Sequence, residues 1–150
     1  MRYSWMDIAQ NERGVKEVVG ATHNPRIIEY HATTTLNATT DEVPWCSSFA
    51  NWVMKAAKYP ITKSAAARSW LDYGQECELQ LGCIVVFRRT GGNHVGFCVG
   101  FTPHSIMVLG GNQANEVNVK PYPRRDFLGA RLPKPLKLPD QQILNSRSGN

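Results

Sequence analysis

Near Gly82 the hydrophobic period of this chain changes, and few arrangements accommodate the change. Upstream, Cys46, Phe49, Ala50, Val53, Met54 and Ala57 recur at the spacing of one buried helix face. Downstream the period is two. Cys83 to Phe87 is a β-branched run that reads as a buried strand, and Arg88 to Asn93 is a turn-rich hairpin connection. From His94 to Phe101 the chain alternates, with Val95, Phe97, Val99 and Phe101 on the bulky face and His94, Gly96, Cys98 and Gly100 on the other. Helices followed by a meander of antiparallel strands make an α+β domain, with the Cys46 helix laid on one face of a central sheet.

The remaining elements follow from punctuation. Ser4 is expected to cap a first helix that stops by Gly14, and Asn24-Pro25 to open a second near residues 26–34. Pro44 suits the first turn of the Cys46 helix, and Ser64 caps a short helix ended by Gly74. Strands are expected at Ile106–Leu109, Glu116–Lys120 and Phe127–Leu132, with Gly110 to Gln113 as an interruption. Residues 1–132 are expected to form one domain. Residues 133–150 read as a basic, proline-containing tail without the makings of a core.

Charge and cysteine usage bound the function. A net charge of +5 over 150 residues suits a polyanionic partner, among them bacterial cell wall, an anionic membrane surface or nucleic acid. Nucleic acid is disfavoured, because no basic helix, no recognised motif and no aromatic-basic interleaving is present beyond Arg88-Arg89 and Arg124-Arg125. No apolar run is long enough to span a bilayer, and no apolar segment follows Met1 as a secretory signal would. Synthesis in a cytoplasm as a monomer is expected. The four cysteines have no CxxC spacing, so neither disulfides nor zinc is expected.

One cysteine stands apart. Cys46 falls in the first turn of its helix, where unpaired N–H groups and the helix dipole favour an anion, and a thiolate is one. A nucleophilic cysteine needs a base, and the base needs an orienting group. His94 is the best of four histidines: it sits near a strand end, on the uncrowded face that continues with Gly96 and Gly100. His23, His31 and His104 read as loop, helix-packing and turn residues. Asn112, after Gly110-Gly111 at the end of the neighbouring strand, is the expected orienting residue, with Gln113 as the alternative. The Cys46 N–H would stabilise the oxyanion. Trp45 and Asn93 are expected to line the substrate cleft beside Gln113.

Pro44-Trp45-Cys46-Ser47-Ser48-Phe49, Gly92-Asn93-His94-Val95-Gly96-Phe97 and Leu109-Gly110-Gly111-Asn112-Gln113, in this order, resemble the CHAP-type and NlpC-type papain-like peptidoglycan hydrolases. A small single-domain phage and bacterial group, endolysin-like, is the more particular match, carried by Asn24-Pro25-Arg26-Ile27, Ala67-Arg68-Ser69-Trp70-Leu71 and Gly111-Asn112-Gln113. The resemblance implies a papain-like fold and a cysteine hydrolase that cuts an amide bond of the cell-wall stem peptide, as amidase or endopeptidase. Cys46 would be the nucleophile, His94 the base and Asn112 the orienting residue, with peptidoglycan as partner and no cofactor. Many CHAP domains carry an acidic residue where this chain has Gly110, and the acidic calcium-binding run of some members is missing, so no metal is expected. The protein would be made in a host bacterial cytoplasm and reach the wall after release, its basic tail aiding contact with an anionic envelope. The rival reading is a papain-like effector or toxin acting on proteins or lipids.

Overall fold

The computed structural model describes residues 1–20 and 22–148; the last two residues of the expected tail lie outside it. Four α-helices surround one six-stranded antiparallel sheet. The helices are α1 (Ser4–Asn11), α2 (Pro25–His31), α3 (Cys46–Ala56) and α4 (Leu138–Ser148), with a 3-10 turn over Ala67–Asp72. The strands are β1 (Gln75–Glu76), β2 (Ile84–Arg89), β3 (Gly92–Phe101), β4 (Ser105–Gln113), β5 (Glu116–Pro123) and β6 (Phe127–Leu132), ordered β1-β6-β2-β3-β4-β5. β2 to β5 form the expected meander, while β6 crosses back to pair with β2. No helix of the described residues is long and apolar enough to cross a membrane.

α3 is the central packing element. Phe49, Ala50, Val53 and Met54 are fully buried, and Phe49 meets Phe97 of β3 edge-on at 6.3 Å between ring centroids. The approach to β4 depends on Gly111: a Cβ there would lie 2.7 Å from Phe49 Cβ and 2.8 Å from the Trp45 ring. Any side chain would push the helix off the sheet. β5 is an edge strand, which is why Pro121 and Pro123 are tolerated in it.

Three sequence expectations are corrected. Pro44 lies before the helix, whose N-cap is Trp45 at φ -130° and ψ 17°, outside helical geometry. Ser4 does not cap α1; it is the first helical residue, and the cap comes from far along the chain. Its N–H and Oγ donate to the two carboxylate oxygens of Asp140 at 2.8 and 2.7 Å, and the Tyr59 hydroxyl donates to the same group. The expected tail therefore carries a folded element. α4 buries Asp140 and Ile143, Lys137 Nζ donates to Ala57 O at 2.6 Å, and Arg147 covers the Tyr3 ring.

Candidate active site

Cys46 begins α3, and α3 begins where β3 and β4 part. Their register pairs end at Phe97–Leu109, so the next stretch of β3 has no β4 partner. There the backbone N–H groups of Val95, Ser47 and Cys46 face the Cys46 sulfur and favour its anionic form. Burial pushes the Cys46 thiol up, and those N–H groups together with the Arg89 cation oppose it without prevailing. The dipole argument favoured a thiolate; desolvation wins, and the resting group is a thiol. Cys46 is only 4% exposed, yet it borders a cleft of about 330 Å³ with Pro44, Ala65–Arg68 and the hairpin residues Arg89–Asn93.

His94 lies next to Val95 and is fully buried. Its Nε2 is 2.9 Å from Gln113 Oε1. The direction of that bond follows from the other end of the amide: Gln113 Nε2 faces Val108 O at 3.1 Å, Asn118 O at 2.8 Å and Asn118 Oδ1 at 3.0 Å. An atom faced by acceptors alone must be the NH₂, its two hydrogens shared among the three, so Oε1 points to His94 and Nε2 of the ring must carry the proton. Nδ1 is then the free base. It is buried and has no hydrogen-bond partner among the described residues, the Cys46 thiol included. The two groups are not hydrogen-bonded to each other.

The surroundings keep the imidazole neutral. Tyr122 stacks on His94 at 4.9 Å and on Phe87 at 5.0 Å. Burial lowers the His94 pKa from 6.5 to about 4, against the bond from Gln113 and with the help of Arg89. The imidazole and the thiol are therefore both neutral at rest. If this pair is the machinery, the acid limb of kcat/KM falls near pH 4 and the alkaline limb above pH 9.0, the ordinary thiol value. A bell with an acid limb near 6.5 would contradict the neutral pair. The linkage has one sign: between pH 4 and 6.5 the unfolded chain binds the proton more tightly, so stability is lost as pH falls through that window.

The residue bonded to His94 is Gln113, the expected alternative, and not Asn112, which makes no hydrogen bond to His94 among the described residues. A bulge between Gly110 and Gln113 places Asn112 at φ 58°, half-buried in the left-handed region, and turns Gln113 inward. Gly110 is required beside it, since a Cβ there would sit 2.5 Å from Gln113 Oε1 and 3.4 Å from His94 Nε2. Gln113 is 2% exposed with every polar atom engaged, so it cannot contact substrate as expected. Trp45 is corrected too: fully buried, it donates Nε1–H to Glu17 at 2.9 Å and packs beneath Gly111, away from the cleft. Asn93 does border the cleft.

The sequence reading missed Tyr122 and Asn118. An aromatic between two prolines on an edge strand was the available signal for the first; nothing local marked the second. Gln113→Ala is expected to lower kcat/KM by roughly 10²-fold, because the tautomer is no longer imposed. Asn112→Gly should leave the rate within about twofold, since only left-handed backbone is asked of that position. Equal losses for both variants would contradict the assignment.

Of the other histidines, His104 is exposed, and His31 is buried with Nδ1 3.0 Å from Ser48 Oγ, tying α2 to α3, while its Nε2, like His94 Nδ1, has no hydrogen-bond partner among the described residues. His23 lies 3.1 Å from Asp41, whose buried carboxylate also accepts from the N–H groups of Val18 and Asn24. Glu42 brings a third ligand-type atom to that pair, the one grouping with metal-ligand character among the described residues. Asp41 already serves there as a brace for the segment leading to Cys46.

No protein-family model matches the chain, and no curated protein matches it either.

Proposed function

We propose that this chain is a papain-like cysteine hydrolase that cleaves an amide bond in the peptide part of bacterial peptidoglycan, acting as amidase or endopeptidase. One arrangement carries the hydrolase reading: His94, with an unpartnered Nδ1 and with its Nε2–H held by Gln113, directly precedes Val95 in β3, whose backbone N–H acts on the thiol of Cys46 at the start of α3. The cell-wall substrate rests on the resemblance of the three motifs, and the net charge of +5 is compatible with an anionic polymer.

In this reading the substrate carbonyl enters the cleft beside Cys46. His94 Nδ1 takes the thiol proton as sulfur attacks the carbonyl carbon, and the Cys46 N–H stabilises the oxyanion. The imidazolium gives its proton to the leaving amine, and a thioester remains on Cys46. Water, deprotonated by His94, then releases the acid and regenerates the thiol. The Gln113 carbonyl stays on Nε2–H throughout and stabilises the transient imidazolium.

Digestion of purified peptidoglycan followed by mass spectrometry of the soluble fragments tests the reading. New amine and carboxyl ends at a single amide are expected. Intact wall together with cleavage of protein or lipid substrates would favour the effector reading instead.

A further inference from the structure

Three of the four free cysteines gather around the loop that joins β1 to β2. Cys77 follows β1, its N–H bonded to Ala130 O of β6 at 3.2 Å. The chain then loops through residues 78–82 and reaches Cys83 just before β2. Arg147 of α4 donates to the Leu81 carbonyl and holds that loop in place. Ile84 pairs with Phe97, so Cys83 stands directly across from Cys98, whose N–H donates to Cys83 O at 2.9 Å. A bulge at Gly82, φ 89°, sets this pair, its N–H donating to Cys98 O at 2.7 Å. Opposed residues of an antiparallel pair lie about 4.5–5.5 Å apart at Cα, within the roughly 4.4–6.8 Å that a disulfide bridges.

The three thiols form a chain with Cys83 in the middle. Cys83 acts on both Cys77 and Cys98 and draws each below the ordinary thiol value, while those two push Cys83 well above it. They are not gathered tightly enough for one metal ion, since the one such grouping among the described residues is His23, Asp41 and Glu42. Access is unequal along the chain. Cys83 and Cys98 are fully buried, whereas Cys77 is half-buried and borders a cleft of about 580 Å³ with Glu76, Glu78, Leu81, Phe101 and Arg147. This cleft shares no lining residue with the one beside Cys46. A small reagent therefore meets the outer thiol first, while the inner pair has the fixed geometry of a bridge.

We propose that Cys77, Cys83 and Cys98 form a thiol relay modified by hydroperoxides, in which the oxidant reacts at Cys77 and the product rests as a Cys83–Cys98 disulfide. The Cys77 sulfur attacks one peroxide oxygen and the O–O bond breaks. The thiol proton leaves with the other oxygen as water or an alcohol, and Cys77 becomes a sulfenic acid. The Cys83 thiol displaces its hydroxyl, which departs as water with the Cys83 proton, and a Cys77–Cys83 disulfide forms. Cys98 then attacks the Cys83 sulfur, and Cys77 leaves with the proton that Cys98 gives up. Two thiols are oxidised and one peroxide is reduced, with Cys77 restored.

The test treats the reduced Cys46→Ala chain with one equivalent of hydrogen peroxide, quenches with N-ethylmaleimide and maps the peptides without reduction. A loss of two hydrogens is expected, with Cys83 linked to Cys98 and Cys77 alkylated. Cys98→Ser should stop the sequence at a Cys77–Cys83 link. Cys77→Ser, a change at a half-buried position, should lose the disulfide at the same exposure time, with circular dichroism as the check on its fold. A Cys83–Cys98 link that forms as fast without the Cys77 sulfur overturns the relay. So do Cys77–Cys77 links between chains, or a Cys77 oxidised to the sulfinic acid while Cys83 and Cys98 both stay free. None of these outcomes bears on the hydrolase reading, because Cys46 is absent throughout.

Discussion

Alanine at position 46 is expected to abolish amide cleavage, a loss of about 10⁴-fold or more, because the nucleophile and its base act as a unit. His94→Ala should cost nearly as much. The fold should survive the first change: Cys46 is buried at the rim of α3, and removing one sulfur leaves Phe49, Ala50, Val53 and Met54 packed as before. A stability loss near 1 kcal/mol is about the size expected for a small buried truncation. Circular dichroism and the urea midpoint check the second half, and release of soluble wall fragments the first. Cys46→Ser should be almost as inactive, since His94, held neutral with a pKa of about 4, is a weak base for a hydroxyl. Residual activity within tenfold of wild type would mean another group does the chemistry.

The second large effect concerns stability. Removing residues 133–150 is expected to unfold the protein or lower its stability by several kcal/mol, measured as a fall in urea midpoint. The deletion exposes the surface covered by Ile143, worth about 2 kcal/mol. It also removes the Asp140 carboxylate from the Ser4 N–H, the Ser4 hydroxyl and the Tyr59 hydroxyl, bonds to a charged group worth roughly 1.5–3 kcal/mol each before their cost is counted. Against a total of about 5–15 kcal/mol, that is a large share. Asp140→Asn separates the effects, since it keeps the shape and weakens only the charged contacts. A truncated chain as stable as the full one would show α4 to be an appendage. Lytic activity lost on truncation therefore says nothing by itself about envelope binding; neutralising the exposed Lys134 in the folded protein is the cleaner probe.

The sequence was legible where one element suffices. The apolar spacing of α3 placed Cys46 at a helix start, and the alternation of β3 put His94 across the strand from Val95 and Phe97, but the face expected to be uncrowded is filled: Tyr122 stacks on the fully buried His94. It was misleading where a single residue of register decides. In a strand each step flips the side chain, so the bulge after Gly110 exchanged the roles of Asn112 and Gln113, and no local signal distinguishes a strand end from a bulge. Gly110 and Gly111 were read as part of an interruption between strands. Their smallness is used instead for two close approaches, by the Gln113 amide and by α3. Trp45 was placed in the cleft by adjacency to Cys46, whereas its indole was claimed by Glu17, 28 residues earlier. The tail was misjudged because α4 is held by tertiary bonds to Ser4 and Tyr59, 136 and 81 residues away in sequence, and composition carries no trace of such partners.

Acid-quenched peptide mapping after brief exposure to peptidoglycan asks directly whether Cys46 becomes acylated. A thioester-linked wall fragment is expected on the peptide containing Cys46, sensitive to hydroxylamine and absent in Cys46→Ala. An adduct on Cys77, Cys83 or Cys98, or wall cleavage by Cys46→Ala, would contradict it.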